Sequence, residues 1–485
     1  MSSPLYPVRQ LPRQNPILDW LDRLALVAIV IGLGVLLGLQ YMEPDKRVLA
    51  VAAATIVIGV AWRLDMVSAI GVLILALPYP RGTTFGSTNL ALILLLLVIY
   101  LLRVTQREAP APSKAPTDAP VGAFFLMVVL SFYNIPNATH LYFALQNFQL
   151  FLGTLLVFWL VVNNIKSEAD LQRLHGFQTV VILSVCLVAC WELNHPGGAL
   201  VPGWIEFTAT HGTEFDTKNL RVGATFYDYE LLADFCGLNL LFLTFLFIRA
   251  EGIYRRMWFG FLAALSLFVM FACVTRGPLV SLTVALSYMT FLMRRHVKLV
   301  PLVITVAIIA GAFFGMNYYV ANFTRSGDLF ARAEHTQMVG WMPDSRAGAW
   351  TDAWTRAWEH PLIGHGPYYS AARGLKLWYW PHNLYLYVAN AVGFIGLGVF
   401  FWFMATLWRL TTPPVDQFRG GRYVDAYLFI AHVQVLYFLV DQFKIEYWRN
   451  PTYQFQVWLM FAFWVGAYKV SRLPRTESAL KLATR

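Results

Sequence analysis

Long apolar runs recur from one end of this chain to the other, among them Leu24–Gln40, Asn89–Leu102, Tyr142–Val162 and Asn383–Trp408. A run of roughly 18 or more apolar residues has no solvated face to offer in water, but in a bilayer it closes its own backbone hydrogen bonds as a helix. Many such runs in one chain exclude a soluble enzyme, a soluble nucleic-acid-binding domain and a disordered scaffold. Of the 485 residues only 13% are charged, against about 25% in a typical soluble domain. The expected fold class is all-α: a polytopic transmembrane helix bundle of 12–14 spans with a large, partly helical extracytoplasmic loop. Residues 1–485 read as a single integral membrane domain.

Fourteen runs qualify as spans: 24–40, 48–62, 66–79, 88–102, 120–134, 141–163, 177–193, 230–248, 257–274, 279–293, 299–319, 383–408, 423–441 and 452–470. The pair 48–62 and 66–79 is short and parted only by Trp62-Arg63-Leu64-Asp65, so a re-entrant pair and twelve spans is the alternative. Lysine and arginine orient spans by their excess on the cytoplasmic side. With the N-terminus inside, 23 of the 37 Lys and Arg fall on the cytoplasmic side, counting Lys469 at the inner end of the last span, 8 in short outer loops and 6 in the loop 320–382. Long loops are largely exempt from the rule. Both termini are therefore expected in the cytoplasm, with 194–229 and 320–382 as the long extracytoplasmic loops. The N-terminal stretch, with Arg9, Arg13 and Arg23, is too long and polar for a cleavable signal peptide, and none is expected.

The net charge of +10 fits this orientation bias better than a nucleic-acid partner. Cys186, Cys190, Cys236 and Cys273 lie inside apolar runs and read as small core residues, with no ligand set around Cys186 and Cys190. No transporter-like internal repeat is visible. Few ionisable residues fall in mid-span; His432 is the exception and reads as packed and hydrogen-bonded. Both points weigh against a polysaccharide or lipid exporter, the alternative of another class. The polar chemistry is expected on the outer face.

There, the stretch 344–366 opens on Asp344 or Ser345 as a helix cap and stops at Pro361 and Gly364. Trp350, Trp354 and Trp358 fall four apart on one face, as in a helix lying at a membrane interface, and Asp352 and Arg356 form an i,i+4 pair. Arg346 sits at the helix start and against the dipole, so either solvation or a partner outside the helix accounts for it. Pro381 suits the first turn of the next helix. His382 then lies at its positive end, where a neutral, proton-accepting imidazole is favoured and an anion is attracted. The plain alternative is an interfacial histidine bonded to backbone.

Arg276, in Thr275-Arg276-Gly277-Pro278, and Arg221 sit at span ends on the same side; each alone reads as a snorkelling arginine. Together Arg221, Arg276, Arg346 and His382 share one face without a matching carboxylate cluster, the nearby acids being Asp228, Glu230, Asp344 and Glu359. Arginines suit fixed-geometry phosphate binding. The chemistry suggested is displacement at a phosphate-linked carbon, with arginines neutralising a leaving diphosphate and a histidine deprotonating the attacking hydroxyl.

Arg346-x-x-x-Trp350, then His360-Pro361-Leu362-Ile363-Gly364-His365-Gly366, then His382-Asn383-Leu384-Tyr385 and Gly393-x-x-Gly396 together resemble the O-antigen ligase/polymerase superfamily. Thr275-Arg276-Gly277 resembles its Ser-Arg-Gly segment, and Arg221-x-Gly-x-x-Phe its upstream arginine motif. The likeness covers roughly Arg221 to Gly396. It implies a GT-C-type, inverting, metal-independent glycosyltransferase of the bacterial inner membrane. No cofactor is implied beyond the donor substrate, a glycan on undecaprenyl diphosphate. On this resemblance His382 is the catalytic residue, and Arg276, Arg346 and Arg221 hold the diphosphate. Tyr385, Asn383, His365 and Asp344 are candidates for meeting the acceptor or supporting the groups that do. The implied partners are the lipid-linked donor, a glycan or lipid A core acceptor, and membrane lipids; nucleic acid is not among them. Ligase and repeat-unit polymerase share this chemistry. The tryptophan-rich loop departs from the family pattern and leaves the acceptor open. A metal-dependent variant of the reaction would use Glu43 and Asp45 of the first outer loop, which otherwise read as a solvated turn.

Overall fold

The computed structural model describes residues 20, 23–32, 46–79, 82–83, 86–109, 111–195, 199–201, 205–206, 220–294, 299–324, 326, 328–329, 338–339, 342–367, 381–412 and 421–473. Fifteen helices account for most of them: α1 (Arg23–Gly32), α2 (Lys46–Arg63), α3 (Met66–Ala76), α4 (Thr88–Thr105), α5 (Asp118–Ser131), α6 (Ala138–Asn164), α7 (Glu168–Asn194), α8 (Tyr229–Arg249), α9 (Ile253–Ala272), α10 (Gly277–Met293), α11 (Leu299–Phe323), α12 (Asp344–Ala357), α13 (Leu384–Thr411), α14 (Tyr423–Asp441) and α15 (Pro451–Ser471). Three short antiparallel ladders lie in connections, Gly82–Thr83 with Gly86–Ser87, Ala199–Val201 with Ile205–Glu206, and Met338–Val339 with Met342–Pro343. The expected apolar runs, where described, are helical over most of their length, and the fold is an all-α polytopic membrane protein. Among the described residues, α6, α7, α8, α9, α13 and α14 are long and apolar enough to cross a membrane. The other expected spans coincide with helices that are shorter, more polar or only partly described.

The chain divides into two compact units, Met1–Ile70 with Leu94–Pro110 and Gly71–Ile93 with Ala111–Arg485. In the first, Arg103 donates to the Trp62 carbonyl and so satisfies a helix-end acceptor. The second carries Arg221, Arg276, Arg346, His382, Asn383, Tyr385, His365 and Asp344. Its helix starts are encoded locally. Asn137 caps α6, Ser167 and Asp170 form a reciprocal capping box on α7, and Asp228, Asn383 and Asn450 cap α8, α13 and α15. Pro451 occupies the first turn of α15, where its missing N–H is harmless.

Burial ranks the helices of this unit. The apolar windows of α8 and α14 are 78% and 72% buried and that of α9 only 33%, so α8 and α14 are interior and α9 turns Tyr254, Met257 and Phe261 outward. Trp458 and Trp464 of α15 are fully buried. Amides tie the interior helices together: Gln178 Nε2 donates to Asn239 Oδ1 and Gln456 Oε1, each at 3.2 Å, and Trp464 Nε1 to Gln434 Oε1 at 3.1 Å. Such bonds join helices where apolar contact with lipid gives no preference for a neighbour. The helices also bury more ionisable groups than expected, with His175, Glu192, Asp234 and Asp441 all enclosed. His432 is packed as expected, its Nε2 3.0 Å from Tyr288 Oη, its Nδ1 3.2 Å from Thr411 Oγ1 and its ring against Trp408. The four cysteines are free thiols, three of them buried.

Helix α13 is broken at Gly393, whose φ of 76° no helix tolerates. The segment before it in sequence space fills the break. Phe394 N donates to Pro361 O at 2.7 Å, His365 N to Asn390 O at 2.7 Å and Gly366 N to Ala391 O at 3.0 Å. Gly364 has φ 70°, and a Cβ there would lie 2.5 Å from the Ala391 carbonyl carbon; one on Gly393 would lie 2.3 Å from Leu362 O. The His360–Gly366 motif and Gly393 are thus two halves of one backbone lock, made where only glycine fits. Asn390 Nδ2 then reaches the Ala353 carbonyl at 2.7 Å and seats α12 on α13.

Candidate anion site

At one end of the second unit, the starts of α8, α10, α12, α13 and α15 meet. The segment 221–228 is fixed first. Buried Glu192, near the end of α7, accepts from Gly223 N at 3.0 Å and Ala224 N at 2.7 Å. Cys273 Sγ donates to Val222 O at 3.4 Å, and Asn450 Nδ2 donates to Phe226 O. Asp228 then caps α8 through Glu230 N (2.9 Å) and Leu231 N (3.1 Å). Ala224, Tyr227, Val274 and His382 hold positive φ of 44°, 52°, 50° and 49°. Each lies in a stretch that carries Arg221, Arg276 or His382. Left-handed backbone at a residue with a side chain costs about 1–3 kcal/mol and persists only where its surroundings impose it.

Charge converges on Glu230. Its Oε1 is 2.8 Å from Arg346 Nη2, while its Oε2 is 3.1 Å from Arg449 Nη2 and 3.4 Å from His382 Nδ1. Arg449 Nη1 approaches His382 Nδ1 to 2.9 Å, and Arg449 Nη2 lies 2.7 Å from Asp228 Oδ2. Arg346 Nη1 also donates to the Lys444 carbonyl. Lys444 Nζ pairs with buried Asp441 at 2.6 Å and lies over Gly277, where a Cβ would come within 1.6 Å of Nζ. Glycine beside Arg276 therefore makes the room that Lys444 uses.

Arg221 and Arg276 differ from the other cations. The Arg221 guanidinium lies 4.5 Å above the Tyr229 ring. Burial, and then the nearby charges of Arg346 and Arg221, push the Arg276 guanidinium below its usual range. Among the described residues no carboxylate lies within ion-pair distance of Arg221 or Arg276. A guanidinium disfavoured by two others beside it is an arrangement that an anion stabilises.

Burial pushes the Glu446 carboxyl up to about 7, against the opposing pull of Arg449, 3.7 Å away, and of His382. Arg449 cannot hold Glu446 ionised because Asp228 and Glu230 already claim its charge. Burial disfavours the Arg449 cation in turn, but Asp228, Glu446 and Glu230 together raise it above its ordinary range.

The structure therefore brings Arg346 and His382 together on one carboxylate, with Arg276 near both Arg346 and Arg221. Helix α13 starts at Leu384, so Pro381 is not in its first turn, and His382 precedes the Asn383 cap rather than sitting inside the helix end. Asn383 Oδ1 accepts from Tyr385 N and Leu386 N, and its Nδ2 donates to Phe443 O at 3.0 Å. Tyr385 Oη donates to Leu439 O at 2.6 Å, with its ring on Phe401 and Phe443. These two residues tie the turn at His382 to the end of α14. His365 sits at the opposite end of α12 from Arg346, its Nε2 3.0 Å from Arg356 O; burial pulls its imidazole below the usual range. Asp344 opens α12, but its side chain, like Glu43, Asp45 and Trp380, lies outside the described residues. Trp354 and Trp358 are exposed and meet Phe394, and Asp352 and Arg356 approach to 4.0 Å.

Sequence reasoning missed Lys444, Glu446 and Arg449, and the bridging part played by Glu230. The signal was present in Asp441-Gln-Phe-Lys444-Ile-Glu446-Tyr-Trp-Arg449-Asn450, where four charges crowd a short connection between two apolar runs.

Residues 261–401 match the family described as O-antigen ligase. The matched stretch contains Arg276, Arg346, His382 and both halves of the glycine lock; Arg221, Glu230, Lys444 and Arg449 lie outside it. No curated protein sequence matches the chain.

Proposed function

With an O-antigen ligase segment at residues 261–401, which supports the O-antigen ligase/polymerase superfamily and implies a membrane glycosyltransferase-like enzyme, we propose that this protein transfers a glycan from undecaprenyl diphosphate to a sugar hydroxyl. The transfer takes place at the periplasmic face of a bacterial inner membrane. The observation that carries this reading is the convergence of Arg221, Arg276 and Arg346, two of them facing no described carboxylate, beside His382. Arg276, Arg346 and Arg221 hold the diphosphate and neutralise the charge it gains as the bond to the anomeric carbon breaks. His382 takes the proton of the acceptor hydroxyl as that oxygen attacks from the opposite side, inverting the carbon. Asn383 and Tyr385 support His382 through its turn. His365 and Asp344 serve the α12 framework that brings Arg346 to the site. The charge neutralisation is assigned to side chains, so transfer is expected to persist in a metal chelator.

Transfer from a purified lipid-diphosphate-linked glycan tests the assignment. His382→Ala is expected to lose about 10²–10⁴-fold in kcat, and Arg346→Ala or Arg276→Ala about 10²–10³-fold in kcat/KM. Wild-type rates in both classes of variant refute the assigned roles. The ligase form of the reaction predicts transfer to a lipid A core acceptor, whereas lengthening of the donor glycan alone identifies a repeat-unit polymerase.

A further inference from the structure

We propose that Glu230 is an internal anion occupying the diphosphate seat and, once the donor has drawn Arg346 and Arg449 away, the positioning residue that makes His382 a base. This rests on the reading of the site given above. Glu230 bridges two guanidiniums with its two oxygens, as a phosphate group does, and its side chain is only 16% exposed. The groups facing His382 are Glu230 from α8 and Arg449 from the connection before α15, with Glu446 and Asp228 behind Arg449.

The closer contact on Nδ1 decides the tautomer. A guanidinium has donors only, so Arg449 at 2.9 Å requires the Nδ1 lone pair to accept. A neutral imidazole then carries its proton on Nε2 and cannot take another there. Glu230, at 3.4 Å from the same Nδ1, requires the opposite, a proton on Nδ1, which leaves Nε2 open. The two arrangements exclude each other, and Arg449 holds the first. Arg449 keeps Asp228 at 2.7 Å as an anchor if it releases His382. A diphosphate that engages Arg346 and Arg449 frees both Glu230 oxygens, and Oε2 then accepts from Nδ1–H. In the transfer step the acceptor oxygen bonds to the anomeric carbon and its proton passes to Nε2. The carbon–oxygen bond to the diphosphate breaks, and its electron pair leaves on the diphosphate. Glu230 stabilises the imidazolium so formed.

Two measurements on the full-length protein in nanodiscs test this without turnover. In ¹⁵N-histidine spectra, with the His382→Gln spectrum subtracted, the ligand-free protein is expected to show His382 protonated on Nε2. Saturating undecaprenyl diphosphate is expected to move the proton to Nδ1. A proton already on Nδ1 without ligand, or no change on saturation, overturns the switch. Glu230→Gln is expected to bind undecaprenyl diphosphate about tenfold more tightly, because the internal competitor is gone, while Glu230→Asp binds as wild type does. Unchanged affinity in the Gln variant overturns the internal anion. In the transfer assay Glu230→Gln should lose about 10²-fold in kcat with no rise in donor KM, and Glu230→Asp should recover most of it; a rise in KM alone marks a merely structural carboxylate and overturns the positioning role. Should Glu230→Gln not fold, the wild-type spectra still decide. A protein that behaves as expected in the spectra and in binding but transfers no glycan refutes the reaction alone. A protein that transfers glycan but fails both measurements refutes this inference alone.

Discussion

Glu446 shows how a single buried carboxyl is set by what its neighbours have already spent. Its ordinary value is 4.5, and burial carries it to about 7. The folded protein therefore keeps this proton where the unfolded chain has released it, so the group's contribution to stability falls as pH rises from about 4.5 and levels off above about 7. Over that window the loss amounts to about 3 kcal/mol. Glu446→Gln is expected to flatten this part of the profile, gaining stability relative to wild type at pH 8 and not at pH 4.5. Thermal unfolding in detergent at the two pH values checks this, and equal shifts at both count against a protonated Glu446. Glu230 stands at the other extreme, a carboxylate each of whose oxygens meets a guanidinium. Its place in the first turn of α8 was readable as a favourable dipole position; its partners, 116, 152 and 219 residues further along the chain at Arg346, His382 and Arg449, were not.

At the scale of elements, the decisive feature is the break in α13. Helix starts were legible because Asn, Ser and Asp caps, and Pro after a cap, act within a few residues. The apolar runs were legible for the same reason. At Pro381 the local preference of proline for a first turn yields to Asn383, which caps two residues later and ties to Phe443. The lock between His360–Gly366 and Gly393 was visible only as glycines at suggestive spacing. Gly364→Ala and Gly393→Ala each force a Cβ into backbone at 2.6 Å or less, at φ above 70° or equal to it. Each is expected to destabilise the protein by about 3 kcal/mol or more, whereas Gly398→Ala, with open space around it, should be close to neutral. Thermal unfolding of the three variants ranks them, and a Gly364→Ala protein as stable as Gly398→Ala contradicts the lock. Because α12 hangs on this lock through Asn390, partial loosening should also lower donor affinity by displacing Arg346.

At the scale of the whole molecule, the lysine and arginine census predicts both termini on the cytoplasmic side and the arginine end of the bundle outside. Reporter fusions at either terminus, together with thiol labelling of a cysteine placed at Tyr133 or Tyr227, both exposed, check this. Labelling at Tyr227 from the cytoplasmic side alone would invert the topology and remove the site from the periplasm. The amino-acid sequence by itself determined the helices, their approximate ends, the membrane as solvent and the candidates Arg221, Arg276, Arg346 and His382. All of these follow from interactions between neighbours in sequence or between a segment and its solvent. Tertiary structure alone decided which charges cancel. Arg346 and Arg449 are spent on Glu230, Lys444 on Asp441, and Arg221 and Arg276 are left without a described carboxylate. Charge interaction depends on distances of a few ångströms across a poorly screened interior, and residues more than a hundred positions apart acquire those distances only when the helices pack.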